Sequence, residues 1–159
     1  MTDFVIPSDE GIQQMITMVV GDEASVDQTA DSMWDGFGHI AQFVDDDDEV
    51  VGLCLADMPL SAALGAGLSM IPPAAAHEMV EEQELTPIAR DNLYEVMNML
   101  SSLFMNDQTP HLKLSTVEPR DEGEDDPGKN LLTENEFSRV DFLIEAGKYG
   151  RGRLTFYAT

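Results

Sequence analysis

The sequence predicts an α+β fold in which helices cover one face of an antiparallel sheet. Apolar residues recur at helical spacing in several segments, and short strand-like runs occur as a hairpin in the first half and again near the C-terminal end. Strands and helices grouped in this way are typical of an antiparallel sheet with helices on one side. The 159 residues, 43% of them hydrophobic, are enough for one domain with a proper core, so we treat 1–159 as a single domain.

The first helix and the first strand pair have clear boundaries. Residues 8–20 begin with a serine that suits an N-cap, have apolar residues at helical spacing and stop at Gly21. Residues 22–36 are polar and give no assignment. The strand-like runs 39–44 and 49–56 flank four aspartates, which we interpret as a solvated hairpin turn. A strong calcium loop would space its ligands and include a glycine and a distal glutamate.

The rest of the chain predicts further helices and strands in two groups. Thr86-Pro87 is a clear start signal, because threonine suits the N-cap and proline the first helical residue. The predicted helices are 59–71, 74–83 and 86–106. The predicted strands are 111–117, 137–144 and 153–157, with a hairpin turn at 148–152. Residues 119–130 are rich in Asp, Glu, Gly and Pro and predict an acidic mobile loop.

The charge of the chain limits its partners. It carries 31 acidic residues against 8 basic ones, a formal net charge of −23. Such a balance argues against nucleic acid or an anionic membrane as a partner bound through a basic patch. A choice of partner and a saline habitat both account for the acidity.

The cysteine, the histidines and the N-terminus point to an ordinary cytoplasmic protein. Cys54 is the single cysteine and lies in an apolar run, which favours a buried inert thiol in a reducing compartment. The three histidines, His39, His77 and His111, are scattered and have no metal-ligand spacing, which argues against a metal enzyme. The N-terminus lacks the basic start of a secretory signal, and glycines and Pro72-Pro73 interrupt the uncharged stretch 58–76. We therefore expect neither a signal nor a membrane anchor.

The long helix that follows Thr86 contains the most informative pattern, a stripe of three polar side chains. With Asp91 placed at 0°, Glu95 falls at roughly 40° and Asn98 at roughly −20°, because an α-helix turns about 100° per residue. The large apolar residues of the helix fall on the opposite side. Asn and Asp are mediocre helix formers, and an ordinary surface stripe would more often hold Lys, Glu or Gln. The stripe is therefore a candidate site, with a merely solvated helix face as the alternative.

One serine and two methionines extend this candidate site. Ser102 continues the stripe at roughly 20°, and Met99 and Met105 flank it at roughly 80° and −40°. A polar row beside exposed, flexible thioethers is typical of a docking surface. We predict that Asp91, Met99 and Ser102 contact a partner. The alternative is that the methionines pack against another part of the same fold.

With these elements in this order, the chain resembles the CheC/CheX/FliY family of chemotaxis phosphatases. The motif of that family is an acidic residue or Ser, three residues, Glu, two residues, Asn, and a proline about twenty residues further on. Here the motif residues are Asp91, Glu95, Asn98 and Pro119, the proline lying one position short of the usual spacing. The N-terminal helix has no second Glu-x-x-Asn. The resemblance covers most of the chain in element order. It is therefore greatest to CheX, and it implies one site per chain.

The resemblance implies a CheC-like fold and a phosphatase that acts on a phosphorylated CheY-like response regulator. Asn98 would orient the attacking water, Glu95 would pair with the lysine of the receiver's active site, and Asp91 would contact the partner. No cofactor of its own is implied, since the receiver binds the Mg²⁺. The alternative is a non-catalytic adaptor, similar to the scaffold parts of the flagellar switch. By analogy with CheX, two copies would pair through exposed sheet edges as a homodimer.

Overall fold

The computed structural model describes residues 5–29, 38–120 and 138–158. Within these ranges four α-helices and six strands form the α+β architecture that the sequence predicts. The helices are α1 (Asp9–Val20), α2 (Met58–Gly67), α3 (Pro73–Glu82) and α4 (Pro87–Ser101). The strands are β1 (Ser25–Thr29), β2 (Gly38–Val44), β3 (Val50–Asp57), β4 (Lys113–Arg120), β5 (Ser138–Glu145) and β6 (Arg151–Ala158).

The six strands form one antiparallel sheet in the order β1-β5-β6-β3-β2-β4. β2 and β3 are the hairpin predicted around the four aspartates, and β5 pairs with β6 along its length. In the described part of the sheet, β1 and β4 are the edge strands. The β5–β6 pair and β4 therefore lie in opposite halves of the sheet.

One apolar cluster joins all four helices to one face of the sheet, which confirms the predicted layering. It includes Ile16 of α1, Leu64 of α2, Met79 of α3, Leu93 of α4, and Phe43, Phe104 and Phe156. The ring of Phe104 has its centroid 5.2 Å from that of Phe43 and 5.3 Å from that of Phe156, a separation at which aromatic pairs attract. A smaller cluster on the opposite face consists of Ile40, Leu53, Leu55 and Tyr157.

The helix boundaries confirm the capping signals. Ser8 Oγ accepts a hydrogen bond from the N–H of Gly11 at 3.1 Å, and Thr86 Oγ1 accepts one from the N–H of Ala89 at 3.3 Å. Each bond satisfies a backbone donor that the first turn of a helix leaves without a partner. Gly21 ends α1 in the left-handed conformation, at φ 67°, which glycine adopts without steric cost.

β1 is a strand that the sequence did not reveal, because residues 22–36 gave no assignment. It pairs with β5, with Ser25 opposite Glu145. Val26 is its only apolar residue and packs against the main cluster. A polar strand of five residues shows little apolar alternation, so β1 depends on backbone pairing with β5.

Several boundaries differ from the prediction. α2 ends at Gly67 rather than at 71, and α4 ends at Ser101, with a short 3₁₀ turn at 102–104 in place of its predicted last turn. β4 runs to Arg120, so the first two residues of the predicted acidic loop 119–130 belong to a strand. The remainder of that loop lies outside the described residues. Pro119 faces His39 across the β2–β4 pair and lies on an edge strand, where proline is tolerated.

The four aspartates form the predicted turn between β2 and β3. The Asp45 carboxylate accepts hydrogen bonds from the N–H of Asp47 at 2.9 Å and of Glu49 at 3.0 Å. His111 and Lys113 lie 3.4 Å from the carboxylates of Asp46 and Asp48, with all four side chains exposed. The turn is thus closed by local side-chain-to-backbone bonds, as is typical of Asp-rich turns.

Cys54 lies fully buried in the main cluster, where burial raises the pKa of its thiol well above the usual range. A protonated buried thiol is a poor nucleophile, which confirms the inert cysteine that the sequence predicts. Among the described helices, none combines the length and the apolar character needed to cross a bilayer.

The buried imidazole of His39, in β2, should make the stability of the fold depend on pH. Burial, and secondarily the charge of Arg90, lowers the pKa of its imidazole from 6.5 to about 4. The folded protein therefore binds fewer protons than the unfolded chain between these values, and stability falls as pH drops below 6.5. From pH 7.5 to pH 5 we expect this histidine to reduce the free energy of unfolding by about 2 kcal/mol.

Urea unfolding of the wild type and of His39→Gln at both pH values measures this effect. Glutamine does not titrate, so the variant should lose about 2 kcal/mol less than the wild type over the same interval. The comparison cancels the common contribution of the many surface carboxylates. Equal losses in the two proteins would contradict a neutral, buried His39.

Candidate functional site

α4 carries the candidate site and is fixed to the rest of the fold along one side. Its buried residues are Ala89, Leu93, Val96, Met97, Leu100 and Ser101. These residues pack chiefly against α2 and β4. The apolar side that the sequence places at roughly 120–240° is the buried side, so the opposite side is available to a partner.

A close approach of α2 holds α4 in position. A Cβ atom on Gly65 would lie 2.6 Å from the carbonyl oxygen of Ala89, a distance that only glycine permits. Asn92 Nδ2 donates hydrogen bonds to the Gly65 carbonyl oxygen at 2.8 Å and to Ser69 Oγ at 2.7 Å. These contacts fix the rotation of α4 about its axis and therefore the direction in which its polar stripe points.

Asn92 and Gly65 are two positioning residues that the sequence did not reveal. Asn92 lies at roughly 100° on the helical wheel, at the border between the polar stripe and the apolar side. An asparagine in a helix interior is unfavourable, and that was the one sequence signal for a tertiary hydrogen bond. The glycine that accepts the bond lies 27 residues earlier in the chain, and no local pattern connects the two.

The three stripe residues lie together as predicted. Asp91, Glu95 and Asn98 are all exposed on α4, and their spacing of four and three residues puts them along about 10 Å of helix. Their side chains form no hydrogen bond or ion pair with any residue that the structure describes. Two carboxylates and one carboxamide are thus presented to solvent with their full hydrogen-bonding capacity.

The residues that extend the stripe are placed differently from one another. Ser102 is exposed, and its hydroxyl donates to the Met99 carbonyl oxygen at 2.8 Å. Met99 and Met105 are half-buried and pack against the main apolar cluster. This packing favours the alternative interpretation of the two methionines, that they contact their own fold, and leaves a partner only part of each side chain.

The three clefts that the structure describes lie away from the stripe. Three clefts, with volumes of 450, 410 and 310 Å³, border the β5–β6 pair, and Arg151 lines all of them. No stripe residue lines any of the three. An exposed row of polar groups on a helix, outside these three clefts, suits a macromolecular partner better than a small molecule, which binds in concave sites. In the described ranges, no group of three or more His, Cys, Asp or Glu residues is arranged to hold a metal ion.

No model of a known protein family matches the sequence, and no curated protein matches it significantly. Solved structures do resemble it. FliY from Thermotoga maritima superimposes with a TM-score of 0.60 at 16% identity, over 92% of this chain and 81% of that one. The chain has the CheC/CheX/FliY fold. This agreement confirms, at the level of fold, the resemblance that the sequence shows.

Two further solved structures share this fold. Chemotaxis protein CheX from Vibrio vulnificus has a TM-score of 0.56 at 10% identity, over 91% of this chain and 89% of that one. FliM from H. pylori, solved in complex with SpeE, has a TM-score of 0.57 at 9% identity, over 94% and 80% of the two chains. The CheC/CheX/FliY fold is therefore shared about equally with CheX, FliY and FliM, and it does not single out CheX.

Proposed function

We propose that the chain is a phosphatase that accelerates loss of phosphate from the aspartyl phosphate of a CheY-like receiver domain. The observation that carries the proposal is the Glu95-x-x-Asn98 pair on α4, exposed and without a described partner, in the CheC/CheX/FliY fold. A receiver partner is a cytoplasmic protein, so the proposal includes a cytoplasmic location.

The proposed chemistry is positioning of water by Asn98. The carboxamide oxygen accepts a hydrogen bond from the water while its NH₂ group donates to a neighbouring acceptor. Phosphoryl transfer passes through a loose transition state, so alignment of the nucleophile matters more than a strong base. The water attacks phosphorus in line with the bond to the receiver's aspartate, that P–O bond breaks, and the aspartate carboxylate and inorganic phosphate are released.

The two carboxylates have a different proposed role, which is docking. Glu95 lies one helical turn from Asn98 and is proposed to pair with a lysine beside the phosphorylated aspartate. Mg²⁺ bound by the receiver neutralises the phosphoryl oxygens, so this chain needs no metal of its own. Asp91, at the other end of the stripe, is proposed to contact the partner's surface, together with Ser102 and the exposed part of Met99.

A non-catalytic adaptor is the second candidate function. The observation that favours it is the similarity to FliM, whose TM-score of 0.57 lies between those of CheX and FliY. An adaptor would dock a receiver through the same stripe and leave its phosphate in place. Pairing of two copies through β1 or β4, the described edge strands, is compatible with both functions and stays a prediction.

Phosphate loss and binding, measured together on the host's own receiver domains, distinguish the two candidates. Each receiver is phosphorylated in the presence of Mg²⁺, and its phosphate is followed with and without this protein. Faster decay supports the phosphatase. Binding to a receiver with unchanged decay supports the adaptor, and neither binding nor faster decay on any receiver overturns both.

Glu95→Ala is expected to raise the KM for the phosphorylated receiver about tenfold, because an exposed carboxylate that becomes paired in a complex contributes up to a few kcal/mol. The matched control is Glu81→Ala on α3, which removes the same charge from an exposed helical position outside the stripe. Steady-state kinetics at fixed ionic strength measures both variants. Equal KM values for the two variants would show that Glu95 contributes only to net charge.

A further inference from the structure

Exposed apolar side chains lie on both sides of the polar stripe. Six large apolar side chains of the described residues are exposed, and Met70, Ile88 and Tyr94 are three of them. Ile88 lies on α4 at roughly 60° from Asp91 and Tyr94 at roughly −60°, so one of them lies on each side of the stripe. Their exposed fractions are 62% and 42%. An apolar side chain exposed in this position lowers solubility and contributes little to the stability of the fold.

Met70 adds to the side on which Ile88 lies. It is 85% exposed and adopts a left-handed conformation, with φ 56°. Its N–H donates to the Gly67 carbonyl oxygen at 3.1 Å in the turn that ends α2. Glycine is the residue that this position normally takes, and of the three described non-glycine residues with positive φ, Met70 is the only apolar one. The fold thus keeps a strained and exposed methionine where glycine would be more stable.

The turn that carries Met70 lies against α4. Ser69, its neighbour, accepts the hydrogen bond from Asn92 at 2.7 Å. Asn92 is one helical turn after Ile88, on the same side of α4. Met70 and Ile88 therefore belong to one side of the polar stripe, and we call this pair the apolar ledge.

We infer that the apolar ledge seats an apolar side chain of the receiver beside its phosphorylation site and so selects which receivers the stripe accepts. The identity of this partner rests on the proposed function. The occupant follows from charge: the stripe presents two exposed carboxylates, so it fits a partner whose site carries cations, as the proposed receiver does with its lysine and its bound Mg²⁺. Polar groups set orientation in such an interface, and a few well-packed apolar anchors supply most of the binding energy.

Met70→Gly tests the ledge without weakening the fold. Glycine fits the left-handed conformation, so the variant should melt at the same temperature as the wild type or higher. Removal of the side chain should raise the KM for the phosphorylated receiver about tenfold or more, with kcat unchanged. A purely structural role for Met70 would link any loss of affinity to a loss of stability, whereas the ledge predicts the opposite combination.

Ile88→Ser and Met18→Ser complete the experiment. Ile88→Ser should raise KM as Met70→Gly does, and the double variant should raise it further. Met18 is 65% exposed on α1, outside the ledge and the stripe, so Met18→Ser is the matched control and should leave KM unchanged. Each variant is measured by dissociation constant and by steady-state dephosphorylation with the same receiver.

The outcomes separate the ledge from the proposed function. If the wild type dephosphorylates the receiver but Met70→Gly and Ile88→Ser have the same KM as Met18→Ser, the ledge alone is overturned. If the wild type binds the receiver without dephosphorylating it, and the two ledge variants bind more weakly, the ledge is supported and the phosphatase is overturned. Absence of both binding and turnover with every receiver overturns the proposed function and, with it, this partner for the ledge.

Discussion

Replacement of Asn98 by alanine is expected to reduce receiver dephosphorylation by about 100-fold or more and to leave the fold intact. In the proposed mechanism the carboxamide places the attacking water, an interaction that forms only in the reacting complex, so its removal should slow the reaction. The fold should be unaffected because Asn98 is exposed, its side chain has no partner among the described residues, and alanine is a better helix former.

Asn92→Ala is the matched control for this prediction, since it removes the same carboxamide from the same helix. Asn92 Nδ2 holds α4 to Gly65 and Ser69, so its loss should reduce the free energy of unfolding by about 1–2 kcal/mol. Because the close contact of Gly65 with Ala89 still positions α4 in this variant, it should keep most of its activity below its melting temperature. The two variants should therefore separate activity from stability, and loss of both properties in each variant would contradict these assignments.

Gly65→Ala is expected to destabilise the protein by about 1–3 kcal/mol, the largest effect on stability that we predict for a single methyl group. The new Cβ would lie 2.6 Å from the backbone oxygen of Ala89. Backbone atoms of a packed helix cannot move aside as a flexible side chain can, so α2 and α4 must separate. Their separation also weakens the hydrogen bond from Asn92 and tilts the stripe, which should reduce activity.

Gly11→Ala on α1 is the control for this effect. There the nearest atoms to the new Cβ are Ser8 Oγ at 3.2 Å and Leu103 Cδ2 at 3.4 Å, both in side chains. The gain in helix propensity of up to about 1 kcal/mol should offset the tight contacts. Chemical denaturation of both variants at pH 7.5 measures the difference, and equal stabilities would show that α2 and α4 are not as closely packed as the structure indicates.

The elements that the sequence predicts well are those with local signals. Thr86 and Ser8 cap their helices through side chains only three residues from the bonded donors, so a short window contains the whole interaction. The polar stripe belongs to the same class, because helical periodicity alone decides that Asp91, Glu95 and Asn98 share one face. The resemblance to CheC/CheX/FliY proteins rested on the same residues and on element order.

The features that the sequence did not predict depend on distant partners. β1 contains one apolar residue and forms through pairing with β5, about 120 residues later. The contact of Asn92 with Gly65 and the exposed, left-handed Met70 arise only when α2 meets α4. Such tertiary contacts override local preference and leave little trace in the sequence.

The central claim is tested most directly by the rate at which a phosphorylated receiver loses its phosphate with Mg²⁺ present. The rate is measured for the receiver alone, with the wild-type protein and with Asn98→Ala, at equal protein concentration. The phosphatase account predicts faster loss with the wild type and the intrinsic rate with Asn98→Ala. An unchanged rate with a folded wild type that binds the receiver, or equal acceleration by Asn98→Ala, would contradict it.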